Sequence, residues 1–327
     1  MSRVLITGGA GLIGTAVARR LLADPAYEVR VADEREAPLW MREGCEVRSG
    51  DLRVPAQAQA AVKGCSQVIH IASLTGREGA TAPHTRLEYE NALHNALIGA
   101  ALEREVERFV YVSSPLTFER AELLPTTESH LADCPAPASA QGFSRLSGER
   151  YCRAAQRQHG LEFTICRPSA TYGATLGDDG EPGVDAALIE LFEGALSASR
   201  PLRVSASSEQ TLTPTHVDDV ATAIVMALAS PAAANEDFNL CAAHELSVAE
   251  IARELWLACG ESADELALEP AAVSADRVAP ARSWPSAEKA YELLGWRAQT
   301  DFADGAARTV AALREAEASG RRIGSAV

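Results

Sequence analysis

The stretch Val4-Leu5-Ile6-Thr7-Gly8-Gly9-Ala10-Gly11-Leu12-Ile13-Gly14 decides the fold. A short apolar run predicts a buried strand, and a helix-period stretch continues from the last glycine to about Leu22. A turn this tight needs residues without Cβ. The backbone must also approach a pyrophosphate, and the following helix N-terminus then faces the phosphate charge. Some 20 positions on, a second strand, Val29–Ala32, ends at Asp33, placed to accept hydrogen bonds from an adenosine ribose. Strand, glycine triplet, helix and acid together read as a dinucleotide-binding unit, with Gly8, Gly11, Leu12 and Ile13 against the cofactor. The Asp33 carboxylate repels a 2′-phosphate and favours NAD. Arg35, two residues later, is placed to neutralise that phosphate, so the cofactor is read as NAD(P)H. Gly50-Asp51-Leu52 follows a third strand, where Asp51 either meets the adenine amino group or caps the next helix.

Further buried-strand patterns lie at Cys45–Arg48, Gln67–Ile71, Arg108–Ser113 and Glu162–Arg167, with helical segments between several of them. Strands alternating with helices imply an α/β, Rossmann-type, doubly wound parallel sheet covered on both faces. Residues 1–172 are expected to form the dinucleotide-binding domain, with 213–235 packing back onto it. Gly173–Gly183 reads as an exposed loop leaving that domain. Residues 173–212 and 236–314 are expected to build a smaller C-terminal α/β substrate-binding domain. Its helices fall at Val184–Leu196, Val217–Ala229, Val248–Cys259 and Ser286–Leu294, and 315–327 reads as a frayed tail.

The formal charge of -15 argues against nucleic-acid or anionic-membrane partners. The N-terminus runs straight into a strand with no leader pattern, and no apolar stretch approaches ~18 residues. A cytoplasmic protein is expected. Cys45, Cys65, Cys134, Cys152, Cys166, Cys241 and Cys259 are odd in number, scattered and free of Cys-x-x-Cys, as reduced packing thiols would be. The histidines show no metal-ligand spacing, so no metal is expected.

The chain resembles the extended short-chain dehydrogenase/reductases, which include NAD-dependent sugar epimerases and dehydratases. The resemblance rests on Thr7-Gly8-Gly9-x-Gly11-x-x-Gly14, Asp33, Gly50-Asp51-Leu52, His70-Ile71-Ala72, Asn91, Val110-Tyr111-Val112-Ser113-Ser114, Arg167-Pro168 and Tyr172-Gly173. It continues through His216-Val217-Asp218-Asp219-Val220-Ala221, Phe238-Asn239-Leu240 and Leu294-Gly295-Trp296, nearly the whole chain. It implies that Ala72, Ser73 and Leu74 lie beside the cofactor, Ser113 near the nicotinamide, and Pro168 to Thr171 at its carboxamide end. It also implies dimerisation through helices spanning about His84–Leu102 and Ser144–His159. Arg150, Arg153 and Arg157 on the second argue against a dry interface there, so a homodimer is not supported.

Three departures mark the catalytic positions. The family's Ser or Thr is here Pro115, its Tyr is Gln141 and its Lys is Arg145. Only Lys63 and Lys289 among 30 basic residues are lysine, so compositional drift explains part of the last change. The family arginine that clamps a sugar nucleotide's diphosphate falls at Leu212, which argues against such a substrate. Gln donates no titratable proton and Arg stays charged at any useful pH. Gln141 and Arg145 still share a helix face, where the amide orients a substrate oxygen and the guanidinium meets a ribose or an oxyanion. Ser113 and Ser114 are candidate polar orienters. Thr117, Ser144 and Tyr172 are weaker candidates; His70 reads as a packing histidine, and His84, His94 and His130 as candidates for the mouth.

The chain is similar to tyrosine-less ketoreductases of aromatic polyketide (angucyclinone-type) antibiotic pathways. That similarity implies an NAD(P)H-dependent ketoreductase acting on a bulky aromatic ketone, with a phenol beside the carbonyl supplying the proton. A catalytically silent dinucleotide sensor or scaffold is the alternative, and a nucleotide-sugar epimerase or dehydratase the weaker one.

Overall fold

The computed structural model describes residues 1–74, 83–174, 182–185, 188–197, 202–204, 210–270, 282–318 and 324–326. The first half alternates strictly. β1 (Ser2–Thr7), α1 (Leu12–Leu22), β2 (Tyr27–Asp33), α2 (Leu39–Gly44), β3 (Glu46–Ser49), α3 (Pro55–Val62) and β4 (Gln67–His70) come first. They are followed by α4 (Pro83–Glu103), β5 (Arg108–Val112), α5 (Ala140–His159) and β6 (Phe163–Pro168). The second half runs β7 (Thr171–Ala174), β8 (Pro182–Asp185), α6 (Ile189–Leu196), β9 (Leu202–Val204), β10 (Thr211–Leu212), β11 (Thr215–His216) and α7 (Val217–Ala229). It closes with β12 (Glu236–Leu240), β13 (Leu246–Ser247), α8 (Val248–Ala258), β14 (Leu268–Pro270), α9 (Glu288–Leu294), α10 (Phe302–Ala318) and β15 (Gly324–Ala326).

Among the described residues seven strands form one sheet in the order β12-β6-β5-β4-β1-β2-β3, every pair parallel. Both faces are covered, which is why the strands are apolar without alternation: β5 is buried along its whole length. On one face α1 and α7 pack Val17, Leu21, Val220 and Ile224 against Ile6, Val31 and Val110. On the other, α3, α4 and α5 pack Leu97, Ala101 and Cys152 against Leu5, Val68 and Phe109. The strand order reverses direction between β1 and β4. That opens the crevice at their carboxyl ends where this architecture binds ligands.

A third core, built around Trp256, Phe192, Leu255 and Leu313, lies under α6, α8 and α10 and holds the second unit together. Three expectations change here. Glu236–Leu240 was assigned to the substrate-binding unit but is the edge strand of the main sheet, because it pairs with β6 over its full length. The helix expected over Val184–Leu196 begins only at Ile189, since Pro182–Asp185 pairs antiparallel with β7. Residues 315–318 are not frayed: α10 continues through them with Leu313 and Ala316 buried, and Gly324–Ala326 pairs with β8. The expected loop over Gly173–Gly183 begins and ends in strand, and 175–181 lies outside the described residues.

Candidate active site

The cofactor end of the crevice is backbone. Gly8 takes φ +69°, and a Cβ there would lie 2.7 Å from the Ala72 nitrogen, so only glycine lets β1 turn beside the β4 exit. The Ala72 amide donates to the Thr7 carbonyl at 3.1 Å and ties the two strand ends together. Gly11 stands at the α1 N-cap with no side-chain cap, and Leu12 and Ile13 behind it are buried. An uncapped helix N-terminus behind a glycine cradle fits a pyrophosphate.

Two Asp-x-Arg clasps stand at the ends of β2 and β3, where the sequence places the adenosine. Asp33, at the β2 end, accepts from the Ala10 amide at 2.9 Å and the Arg35 amide at 2.8 Å. Asp51, after β3, accepts from the Arg53 amide at 2.9 Å and from its guanidinium at 2.8 Å. Asp51 does not cap the next helix, whose N-cap is Val54. Leu52 turns inward and packs in the core with Ala58 and Leu97.

At the reacting end the side chains are engaged elsewhere. Ser113 is buried and donates to Glu149 Oε1 at 2.7 Å. Ser114 is half-buried, and its Oγ accepts from the Leu116 amide as the cap of the short turn Pro115–Phe118. Gln141 lies half-buried in the first turn of α5. That turn is fixed by Ser139, whose Oγ accepts from the Gly142 amide, and by Glu119, whose carboxylate accepts from the Ala138 and Ser139 amides. A carboxylate at a helix N-terminus suits the macrodipole. One turn on, Arg145 is buried and its Nη1 donates to the Val112 carbonyl at 3.2 Å. Ser113 and Arg145 thus meet at the β5 terminus, one helical turn from Gln141, with Pro168 ending the next strand.

Beneath this end run two buried polar systems that sequence reading did not assemble. In the first, Thr7 Oγ1 meets His70 Nδ1 at 2.8 Å, His70 Nε2 meets His94 Nδ1 at 3.0 Å, and Tyr111 Oη meets His94 Nε2 at 3.3 Å. Glu90, fully buried beside them, accepts from Ser73 Oγ at 2.6 Å and the Leu74 amide at 2.9 Å, fixing the chain as it leaves β4. His94 was expected at the mouth but lies under the floor. There is room because a Cβ at Gly148 would strike Tyr111 and His94. Burial holds His94 down to about 4 and His70 well below the usual histidine range, so both are neutral at pH 7. In the second, Arg167 donates to both Glu149 oxygens and to Asp237 at 2.7 Å, and Lys289 and Arg153 complete the Asp237 shell. Burial raises the Asp237 carboxyl, but Arg167 and Lys289 more than offset this and hold it well below the carboxylate range. Asn91 joins α4 to α5 through Ser147 at 3.0 Å rather than reaching the strand. Glu90 and Glu149 carried a faint signal in the sequence: one precedes Asn91, the other follows Arg145 by one turn, both on buried helix faces.

On the substrate side Ser169 Oγ and Thr213 Oγ1 lie 2.5 Å apart, which brings β10 close to Pro168. Leu212 packs against the third core, and the neighbouring Arg282 and Thr211 both donate to Glu245. Thr117, Ser144 and Tyr172 are buried, the first two bonded to nearby carbonyls, as structural residues are. His84 is exposed on α4, and His130 caps a turn through the Thr127 amide. Burial pushes the Cys166 and Cys241 thiols up to about 12, which keeps them inert. Among the described residues no cluster of His, Cys, Asp or Glu is placed to hold a metal ion, and no helix is long and apolar enough to cross a membrane.

The UDP-glucose 4-epimerase of Mycolicibacterium smegmatis is 28% identical over 318 residues, covering 94% of this chain and 97% of its own. Tetraketide alpha-pyrone reductase 2 of Arabidopsis thaliana is 26% identical over 282 residues, 78% of this chain and 83% of its own. Among solved structures, the dTDP-glucose 4,6-dehydratase DesIV from Streptomyces venezuelae, with NAD bound, superposes with a TM-score of 0.83 at 25% identity. That match covers 97% of this chain and 98% of the other. The family model of the NAD dependent epimerase/dehydratase family, whose cofactor is NAD(H), matches residues 4–241. Sheet order, glycine cradle and Asp33 agree with that match, and the chain belongs to the NAD dependent epimerase/dehydratase family.

Proposed function

We propose that the protein is an NAD(P)H-dependent ketoreductase acting on a carbonyl of a bulky aromatic, polyketide-type substrate, without the family's tyrosine acid. The observation that carries this reading is the state of the catalytic positions. Gln141 has no titratable proton, Pro115 has no side-chain donor, Arg145 is turned onto the Val112 carbonyl, and Ser113 is turned onto Glu149. When bound, the dinucleotide supplies a hydride to the carbonyl carbon. The chain's own part is to orient: the Gln141 amide donates to the carbonyl oxygen, while the Arg145 guanidinium stays on the Val112 carbonyl and adds only a fixed positive charge at that end. The proton comes from a hydroxyl on the substrate hydrogen-bonded to the ketone, a transfer that needs positioning and no enzyme acid. Leu212 offers no cation, and the neighbouring Arg282 is engaged by Glu245, where a diphosphate would need a free bidentate partner. The reductase of Arabidopsis thaliana supports a ketide substrate.

The epimerase relatives favour a second reading, a nucleotide-sugar substrate. The test is a pair of assays with NADH and NADPH, one on 1-hydroxyanthraquinone-type ketones and one on UDP-glucose. Consumption of reduced cofactor with the ketone alone is the expected result, and conversion of the sugar nucleotide instead would replace this reading with the second.

A further inference from the structure

The first turn of α5 carries Gln141, and one side chain from another part of the fold holds it. Glu119 directly follows the turn Pro115–Phe118, and its amide donates to the Leu116 carbonyl at 3.2 Å. The other end of that turn is capped by Ser114, so Glu119 is tied to the β5 terminus. Its side chain is buried and turns both oxygens to the entry of α5. Oε1 accepts from the Ala138 and Ser139 amides, the second at 2.7 Å, and Oε2 accepts from Ser139 Oγ at 2.5 Å. Ser139 Oγ in turn accepts from the Gly142 amide at 3.0 Å, so bonded residues stand on both sides of Gln141. Gly142 is pressed onto the same turn: a Cβ there would lie 2.6 Å from the Leu116 carbonyl oxygen and 3.0 Å from Glu119 Oε2. A helix start needs one cap, and Ser139 is that cap. The added carboxylate therefore governs where α5 stands against the end of β5, not whether it starts.

We propose that Glu119 is a positioning residue of the reacting end and acts through Gln141. It sets the Gln141 amide at a fixed distance from the β5 terminus, and so decides where a carbonyl oxygen is met. The proposal rests on the ketoreductase reading, in which that amide donates to the oxygen. A hydrogen bond weakens steeply once donor and acceptor are misaligned, so an orienting amide needs a rigid support. Bonds from main-chain amides to a carboxylate are short and about twice as strong as neutral ones, which gives that support. Both Glu119 oxygens accept, as those of an ionised carboxylate do, so the residue holds position and supplies no proton.

Hydrogen exchange and a double-mutant cycle test the two halves of this claim. In Glu119→Ala, exchange is expected to rise at residues 138–145 and to stay unchanged in β1 to β4 and α1, with dinucleotide affinity retained. Glu119→Gln keeps an oxygen for the two amides and a donor for Ser139, and is expected to exchange as the wild type does. With a 1-hydroxyanthraquinone-type ketone and saturating reduced cofactor, Glu119→Ala is expected to lower kcat by about threefold to tenfold, and Glu119→Gln to restore most of it. In a Gln141→Ala background Glu119→Ala then lowers kcat no further, because it acts through the amide already removed. An equal loss in both backgrounds makes Glu119 a merely structural residue and overturns the proposal. Abolished turnover in folded Glu119→Gln also overturns it, since Glu119 would then be the acid. A wild-type protein that reduces no ketone removes the ketoreductase reading, and exchange then decides alone: unchanged exchange in Glu119→Ala overturns the clamp.

Discussion

The two ends of one crevice are built from different material. The end proposed for the adenosine and pyrophosphate consists of backbone: a left-handed Gly8, an uncapped helix start at Gly11, and aspartates held by main-chain amides. The reacting end consists of side chains, and three of them, Pro115, Gln141 and Arg145, have no proton to give at neutral pH. A binding geometry made of backbone survives sequence change as long as glycines and strand ends stay in place. Chemistry made of side chains is lost or replaced one residue at a time. Cofactor class therefore follows from the fold, while the reaction has to be argued from what each side chain touches.

The sharpest break in the comparison is Gly11→Val. A Cβ there meets the movable end of Arg35 and lies a tight 3.3 Å from the Gly8 carbonyl, a strain the turn absorbs by a small shift, while the pyrophosphate face is filled. Dinucleotide affinity is expected to fall by about a hundredfold or more with little change in melting temperature, by calorimetry and thermal denaturation. Retained affinity would mean that the cradle is not where the cofactor lies.

Removing charge from the network beneath the reacting end should do the reverse. Arg167→Met leaves Glu149 and Asp237 buried without their main partner, at an expected cost of about 3–5 kcal/mol by denaturant unfolding. The same network sets the acid limit. Asp237 is lowered in the folded state, so its contribution is complete above the unfolded value, about 4, and is lost as pH falls below it toward the folded one. His70 and His94 act earlier. Both are lowered by burial, so the unfolded chain binds more protons than the folded one below about pH 6.5, and stability falls as the solution is acidified from there. A melting temperature that drops between pH 7 and pH 5, with a smaller drop in His94→Asn, is the expected profile. A flat profile would mean that the histidines are not buried and neutral as described.

The smallest effect belongs to the position that looks most catalytic. Gln141→Ala should lower turnover by less than about tenfold, because an orienting amide is lost and no proton transfer with it.

Legibility in the sequence followed the same division. The glycine triplet and Asp33 announced the nucleotide-binding half, since tight turns and strand ends have local chemistry that a reader recognises. The replacements at Gln141 and Arg145 were equally plain. Their consequence was not, because the Val112 carbonyl that holds Arg145 comes from β5, and Ser113 reaches across from the end of that strand to Glu149 on α5. The strand Glu236–Leu240 was misassigned for a related reason: its partner β6 lies some 70 residues earlier, and nothing in its own residues names the sheet it joins. The end of α10 was hidden by tail-like composition, while its buried face packs in the third core with Trp256 and Phe192.

The claim that the reacting end lacks an enzyme acid is tested most directly with a matched pair of substrates. An aryl ketone bearing an ortho hydroxyl and its methyl ether are offered to the wild-type protein with saturating reduced cofactor. Cofactor oxidation in single turnover is followed, with binding of both ketones measured separately. The account predicts reduction of the hydroxy ketone and a loss of about 10²–10⁴ in rate for the ether at comparable affinity. Equal rates for the two would contradict it, and would place the proton donor on the protein.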